Sequence, residues 1–322
     1  MERVLSLFAS ELEATENAMR EAITSDIPNI PQIINHITSS GGKRFRPLLL
    51  LSCAAMFNYR DAKRFRFAAI IEFIHTATLL HDDVVDVAQT RRGQESANKK
   101  WGNAASVLTG DFLLASSMLI MAQHGDMEVI RIVANMLRLM SEGEILQLNK
   151  SGRGDTSEKD YLRIVQGKTA ALTSAACEVG ARLAGASAAQ QRALAQVGLH
   201  IGTVFQITDD ILDYSSDKEE MGKDINQDIS EGKMTLPLIH AMEKASREER
   251  MFMQEALTHG KITPAKREKV ISLVVSYGGI EYARSQSSQR IKDVRKILGN
   301  FPASPAQESL LTIAEYAASR SK

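Results

Sequence analysis

Residues 67–86 read "FAAIIEFIHTATLLHDDVVD", an apolar run that ends in a cluster of carboxylates. Between 68 and 80 the polar positions are only Glu72, His75, Thr76 and Thr78. The run therefore predicts a helix that is apolar on more than one face and is surrounded by other helices. Asp82 and Asp86 are four apart, so they project from one face about a turn apart, with Asp83 rotated away. They fall at the helix's C-terminal end, where the macrodipole is already negative and each added carboxylate costs roughly 0.3–1 kcal/mol. Burial raises that cost, so something cationic must compensate.

Outward from this run the chain reads as helix nearly throughout. Seven prolines, 5% aromatics and many Ala, Leu, Met, Glu, Lys and Arg leave little material for strands. Helices are expected at 2–24, 30–39, 47–57, 61–87, 94–100, 104–123, 127–149, 158–185, 188–214, 231–244, 246–258, 263–276, 278–298 and 304–320. The breaks "SSGGKRFRP", "TRRGQ", "KSGRGDTSEKD", "SSDKEEMGKD" and "GNFPASP" stand where helices should stop. "AALTSAACEVGARLAGAS" is rich in small residues, which lets helix axes approach closely. No linker is long enough to separate domains, so one all-α domain spanning 1–322 is expected.

Composition narrows the function classes. With 39 basic and 39 acidic residues the chain has no net field to gather nucleic acid or an anionic membrane, so no nucleic-acid partner is expected. Cys53 and Cys177 are far apart in sequence and sit in apolar settings, which predicts buried free thiols in a reducing compartment. The N-terminus does not read as a signal peptide. "FLLASSMLIMA" at 112–122 is too short to span a bilayer and follows Asp111. The expectation is a cytoplasmic protein without a transmembrane segment.

The acidic pattern recurs in "FQITDDILDY", with Asp209, Asp210 and Asp213 again closing an apolar helix. With 16 Asp in the chain, chance supplies about 0.04 D-D-x-x-D matches, so two point to a shared chemistry. Such clusters suit a hard cation. Mg²⁺ takes one or two carboxylates, keeps several waters and completes its shell with substrate phosphate oxygens. Basic residues fall where a diphosphate would need them. Lys43, Arg44 and Arg46 follow the Gly41-Gly42 turn, just before Pro47 opens a helix; Arg91 and Arg92 follow the first acidic cluster, Lys168 lies in "QGKTA", and Lys223 and Lys233 follow the second cluster. His75 lies seven residues before Asp82, two turns along the same face, whereas His81 reads as structural.

In order and approximate spacing, "GGKRFRP", "LLHDDVVD", "RRG", "GKTA", "FQITDDILDY" and "GKDINQDISEGKMTLP" resemble the trans-prenyltransferases, or polyprenyl diphosphate synthases, and among them the long-chain bacterial members. The resemblance covers residues 36–240 by motif and the whole chain by length and helical character. It implies a single polyprenyl synthetase domain of the isoprenoid synthase type, an all-α bundle of about 12–14 helices around a central cavity. It also implies transfer of an allylic prenyl group to isopentenyl diphosphate, with about three Mg²⁺ per site and farnesyl diphosphate as the favoured allylic primer. Asp82 and Asp86 then resemble ligands of two ions and Asp209 of a third, with Asp210 and Asp213 supporting. Arg91, Lys168, Thr169, Gln206 and Lys223 would hold the allylic diphosphate, with Lys233 beside them. Lys43, Arg46, His75 and Arg92 would hold isopentenyl diphosphate. Among these, Asp82, Asp86, Asp209, Lys168 and Arg91 are the expected catalytic residues.

The resemblance also bears on product length. Ala77, Thr78, Ile74 and Ile71 precede Asp82 along a path receding from the acids at about 1.5 Å per residue. Short-chain members block that path with aromatics at the first two positions. Here these are Ala77 and Thr78, which implies an all-trans product of about C40–C50, octaprenyl favoured, for a quinone side chain. Met136, Leu137 and Met140 are candidates for the tunnel floor. The apolar helices 104–123 and 127–149 would suit the family's homodimer interface. Two other readings are a class I terpene synthase, which would lack "GGKRFRP", and a weakly active subunit of a heteromeric synthase, whose acidic motifs would be degraded.

Overall fold

The computed structural model describes residues 1–39, 44–215, 227–258 and 262–320, and the chain is all-α apart from one two-residue hairpin among them. In chain order the helices are α1 Glu2–Leu7, α2 Ala9–Ala22, α3 Asn29–Ser39, α4 Phe45–Ala55, α5 Lys63–Val85, α6 Ala97–Trp101, α7 Asn103–His124, α8 Met127–Lys150 and α9 Glu158–Val165. After a π turn at Gln166–Ala170 come α10 Ala171–Leu183, α11 Ala188–Ser215, α12 Gln227–Ser230, α13 Leu236–Lys244, α14 Arg247–Thr258, α15 Pro264–Ser276, α16 Gly279–Leu298 and α17 Pro305–Ser319. Two compact units are distinguished: residues 1–135, 175–195 and 302–310 form one, and residues 136–174, 196–301 and 311–322 the other.

In the first unit α5 is the central helix its sequence predicts. Ala69, Phe73, Ala77 and Leu80 form one buried stripe against Met19 of α2, Ile33, Ile34 and Ile37 of α3, and Leu113 of α7. Phe67, Ile70, Ile71 and Ile74, on its other faces, are at most 1% exposed. The helix ends in a Schellman pair: the Val87 N–H donates to Val84 O at 3.3 Å and the Ala88 N–H to Asp83 O at 2.9 Å. Val87 holds the left-handed position, with φ 50°, where glycine is usual.

Two sequence expectations are corrected in this unit. The helix expected over 2–24 breaks at Phe8, whose φ of −108° and ψ of 16° separate α1 from α2. The helix expected from residue 94 starts at Ala97. Residues 94–95 instead pair with 90–91 across a two-residue turn, in which Arg92 and Gly93 both have positive φ, 51° and 78°. "FLLASSMLIMA" lies inside the 22-residue α7, the one helix among the described residues long and apolar enough to cross a membrane by length and composition. Cys53 and Cys177, distant in sequence, are neighbours here: both are fully buried, and burial together with the adjacent Cys177 pushes the Cys53 thiol up.

The second unit has its own core, in which Ile207, Ile211 and Tyr214 of α11 meet Leu236, Leu238 and Ile239 of α13 and Val270, Val274 and Ala283 of α15 and α16. Ser157 starts α9 with a reciprocal capping box to Asp160. The helix expected over 158–185 is interrupted by the π turn, and the one expected over 231–244 starts late. Gly232 has φ 69°, and extended Thr235 then precedes α13, with Pro237 in its first turn. The small-residue reading holds. A Cβ on Gly198 would collide with the carbonyl of Thr173, and one on Gly202 would lie 2.6 Å from Ala170 Cα.

Two outcomes are expected. Gly198→Ala should lose roughly 1–3 kcal/mol, because backbone has to move, which outweighs the ~1 kcal/mol that alanine gains in helix propensity. Val87→Gly should gain about 1 kcal/mol by relieving a β-branched residue at positive φ. Denaturant melts read both; unchanged midpoints would refute them.

Candidate active site

The first acidic cluster divides by burial. Asp82 is half-buried and Asp86 is exposed at the end of α5, whereas Asp83 is fully buried. Arg91, carried back by the hairpin, donates from Nε and Nη2 to Asp83 Oδ1, both at 2.7 Å. Burial still pushes the Asp83 carboxyl up, opposed by Arg91. The arginine expected to hold diphosphate is therefore placed on an internal acid. His81 contacts Asp111 Oδ1 at 3.4 Å and Val107 O at 3.2 Å.

His75 lies in a positive field. Its pKa is held well below the ordinary histidine value, first by desolvation, then by Arg46, Arg92, Arg91 and Arg44. Arg44 reaches Glu72 at 3.0 Å and Glu16 at 3.4 Å, and Arg91 is paired with Asp83. Of the residues expected to hold isopentenyl diphosphate, Arg46, His75 and Arg92 thus share one electrostatic neighbourhood, and Lys43 lies outside the described residues. The charge that keeps His75 neutral would also draw an anion to it.

The second cluster lies in the second unit, on α11. A cavity of about 160 Å³ is lined by Tyr161, Lys168, Thr169, Gln206, Asp210 and Lys233, among others. Thr169 Oγ1 donates to Gln206 Oε1 at 2.8 Å, Gln206 Nε2 donates to Asp210 Oδ1 at 2.9 Å, and Tyr161 Oη donates to Asp210 Oδ2 at 2.6 Å. Lys168 pairs with Glu144 of α8 at 2.7 Å. A near-contact of glycines allows this, since a Cβ on Gly143 would lie 2.7 Å from Lys168 N. Lys233 pairs with Glu231 at 2.5 Å, and Lys223 lies outside the described residues. Asp209 is bound by Arg320, which also donates to Phe205 O at 3.0 Å and lies 3.6 Å above the Phe205 ring. Asp213 Oδ2 accepts the Asp228 N–H at 3.2 Å.

These acids carry more negative charge than their neighbours offset. Desolvation pushes the Asp210 carboxyl up to about 7, with Asp209 and Asp213 adding to the shift and the Tyr161 and Gln206 hydrogen bonds opposing it. Asp228 is likewise raised well above the carboxylate range by burial and by Asp210 and Asp213, against Lys233. A divalent cation suits such a place. Among the described residues no three His, Cys, Asp or Glu side chains form a ready metal cage. Mg²⁺ does not need one, because it takes few carboxylates and leaves positions for water and phosphate. The oxygen donors of Asp82 and Asp86, and of Asp209, are of the right chemical kind.

Four contributors escaped the sequence reading: Glu144, Tyr161, Asp228 and Arg320. Tyr161 is recognisable only once the π turn at Gln166–Ala170 is known. Glu144, Asp228 and Arg320 are recognisable only from the neighbours the fold gives them.

Arg91→Ala should cost on the order of 2–3 kcal/mol in a denaturant melt, because it strands the buried Asp83 charge; an unchanged midpoint would show that Arg91 does not support Asp83. Asp210 gives a pH test. Folded protein keeps its proton up to about 7, an unfolded chain only to about 3.9, so stability falls as pH rises between these values. In metal-free protein, Asp210→Asn should gain stability relative to wild type on going from about pH 5 to about pH 8. A constant difference across that range would contradict it.

Comparison with known proteins fits this chemistry. The sequence matches the polyprenyl synthetase family over residues 27–274. It is 36% identical over 322 residues to the octaprenyl diphosphate synthase of Escherichia coli (strain K12), covering 100% of this chain and 99% of that one. The structure is similar to a decaprenyl diphosphate synthase from Rhodobacter capsulatus, with TM-score 0.94, 39% identity, and 100% and 99% of the two chains covered. It is also similar to a polyprenyl synthase from Caulobacter crescentus CB15 complexed with calcium and isoprenyl diphosphate, with TM-score 0.94, 37% identity, and 100% and 98% covered. The chain, an all-α prenyltransferase, belongs to the polyprenyl synthetase family.

Proposed function

We propose that this chain is a long-chain all-trans polyprenyl diphosphate synthase. It adds isopentenyl diphosphate units to an allylic diphosphate primer, farnesyl diphosphate favoured, with release of diphosphate. The observation that carries the reading is the charge pattern: a cluster of arginines around the buried His75, and acids around Asp210 that repel one another. The first suits a diphosphate and the second a divalent cation.

The side chains have separable tasks. Arg46, Arg92 and His75, with Lys43, bind isopentenyl diphosphate as an anion; bound diphosphate would favour the imidazolium that the bare site disfavours. Lys168, Thr169 and Gln206, with Lys223, bind the allylic diphosphate, Lys168 exchanging Glu144 for a phosphate oxygen. Lys233 lies beside them, and Arg91 helps hold the diphosphate while supporting Asp83. Asp82, Asp86 and Asp209 would hold Mg²⁺, three ions in all, which when bound neutralises the charge accumulating on the leaving diphosphate. The isopentenyl double bond attacks the allylic carbon as its C–O bond breaks, and a proton leaves to the released diphosphate.

Product length is read from α5. Ala77 is fully buried and Ile74 and Ile71 are at most 1% exposed, while Thr78 is half-buried with its hydroxyl donated to His75 O at 2.8 Å. No aromatic side chain occupies these positions, which favours a product of about C40–C50, octaprenyl first, suited to a quinone side chain. α7 exposes Leu108, Met118 and Leu119 at 66%, 55% and 59%. We assign that face to a homodimer interface and the protein to the cytoplasm, as one polyprenyl synthetase domain over 1–322.

Purified chain with Mg²⁺, isopentenyl diphosphate and geranyl, farnesyl or geranylgeranyl diphosphate should give products of about C40–C50 by mass spectrometry. No condensation with any primer would overturn the reading. Ala77→Tyr should shorten the product with the first condensation intact. Because Ala77 lies in a packed core, Thr78→Phe at the half-buried neighbour provides a second probe, and an unchanged product distribution for both would refute the α5 assignment.

A further inference from the structure

The second acidic cluster contains an acid that the reaction does not use directly. Asp210 is 3% exposed, and both of its oxygens are occupied from within its own unit, one by Tyr161 and one by Gln206. Tyr161 is 4% exposed. The capping box at Ser157 fixes where α9 begins and so where Tyr161, in its first turn, enters the core. The hydrogen bonds beyond Asp210 run in one direction. Both Asp210 oxygens accept, one from Tyr161 and one from Gln206, so Gln206 turns its NH₂ to Asp210 and its carbonyl to Thr169. The Thr169 hydroxyl hydrogen is thereby committed to Gln206.

We propose that Tyr161 is a positioning residue for the condensation: through Asp210 it fixes the amide of Gln206, and through that amide the hydroxyl of Thr169. This rests on the function proposed above. Without the phenol, Asp210 keeps one of its two anchors and can rotate, and the amide and hydroxyl lose their single orientation. Lys168 and its Glu144 partner are untouched, so the charge that binds the primer stays in place. Misorientation should therefore appear in turnover more than in primer affinity.

Asp210→Asn tests direction without changing shape. An asparagine can accept from Tyr161 only by presenting its NH₂ to Gln206, which reverses the amide and the bond to Thr169. For Tyr161→Phe we expect roughly a tenfold or greater loss of kcat with primer KM within about threefold of wild type and an unchanged Mg²⁺ requirement. Asp210→Asn should show the same split, and the double variant should be no slower than Asp210→Asn alone. In metal-free protein the two changes should also be non-additive in thermal unfolding, a readout that needs no turnover. Wild-type kcat within about twofold for Tyr161→Phe, a loss confined to KM, multiplicative effects in the double variant, or a raised Mg²⁺ requirement in both single variants would each overturn the inference. Wild-type protein that fails to condense any primer would instead remove the function on which it rests.

Discussion

A carboxylate taken out of water has to be matched by a partner or given a proton, and this constraint organises both acidic motifs. On an α-helix the first and last Asp of D-D-x-x-D share a face, while the middle one is rotated by about 100°. In both copies that middle residue is the buried one. Asp83 is fully buried and Asp210 is 3% exposed, while Asp82, Asp86, Asp209 and Asp213 are at least partly exposed. Each motif combines one buried, internally tied acid with a pair of acids left at the helix surface. The anchor fixes the rotation of the helix end, so the outer pair cannot turn without breaking it.

The two anchors are satisfied by different means, and the difference spreads outward. Asp83 is met by a full positive charge on Arg91, which opposes the burial that pushes its carboxyl up. Asp210 is met by a phenol and an amide, which donate hydrogen bonds without supplying charge. Asp209 and Asp213 therefore still act on Asp210, and Asp228 shares the repulsion against Lys233. Each buried Asp thus meets a different kind of partner, a guanidinium in one unit and neutral hydrogen-bond donors in the other.

Most of the helices and both acidic motifs were legible because burial on several faces and i, i+4 spacing are sequence-local signals. Asp83 was read only as turned away; that it is buried and tied to Arg91 depends on the Arg92-Gly93 turn, which folds residues 90–91 back on 94–95 and is too short to show a period. Arg91 illustrates the consequence, since its pairing with Asp83 cannot be seen until the turn is known. Glu144 and Arg320 could not be found from spacing, because Lys168 meets the former from another helix and Asp209 meets the latter from more than a hundred positions along the chain. The cysteines are buried free thiols as expected; only their adjacency was hidden, because sequence distance says little about neighbours in a helical fold.

The π turn at Gln166–Ala170 shows how a small departure from helical period sets chemistry. In an uninterrupted α-helix Tyr161 and Lys168 would share a face, seven residues apart, with Thr169 about 80° away. A π turn takes up one extra residue, which rotates the residues after it back by about 100°. Thr169 then comes round to the side of Tyr161, where it joins the hydrogen-bonded series through Gln206 and Asp210, and Lys168 swings toward α8. Gly143 and Gly167 let the backbones approach closely enough for Glu144 to meet it. The adjacent residues Lys168 and Thr169 are thus sent to different partners, one by charge and one by hydrogen-bond direction. A regular helix would have placed the lysine where the hydroxyl is needed.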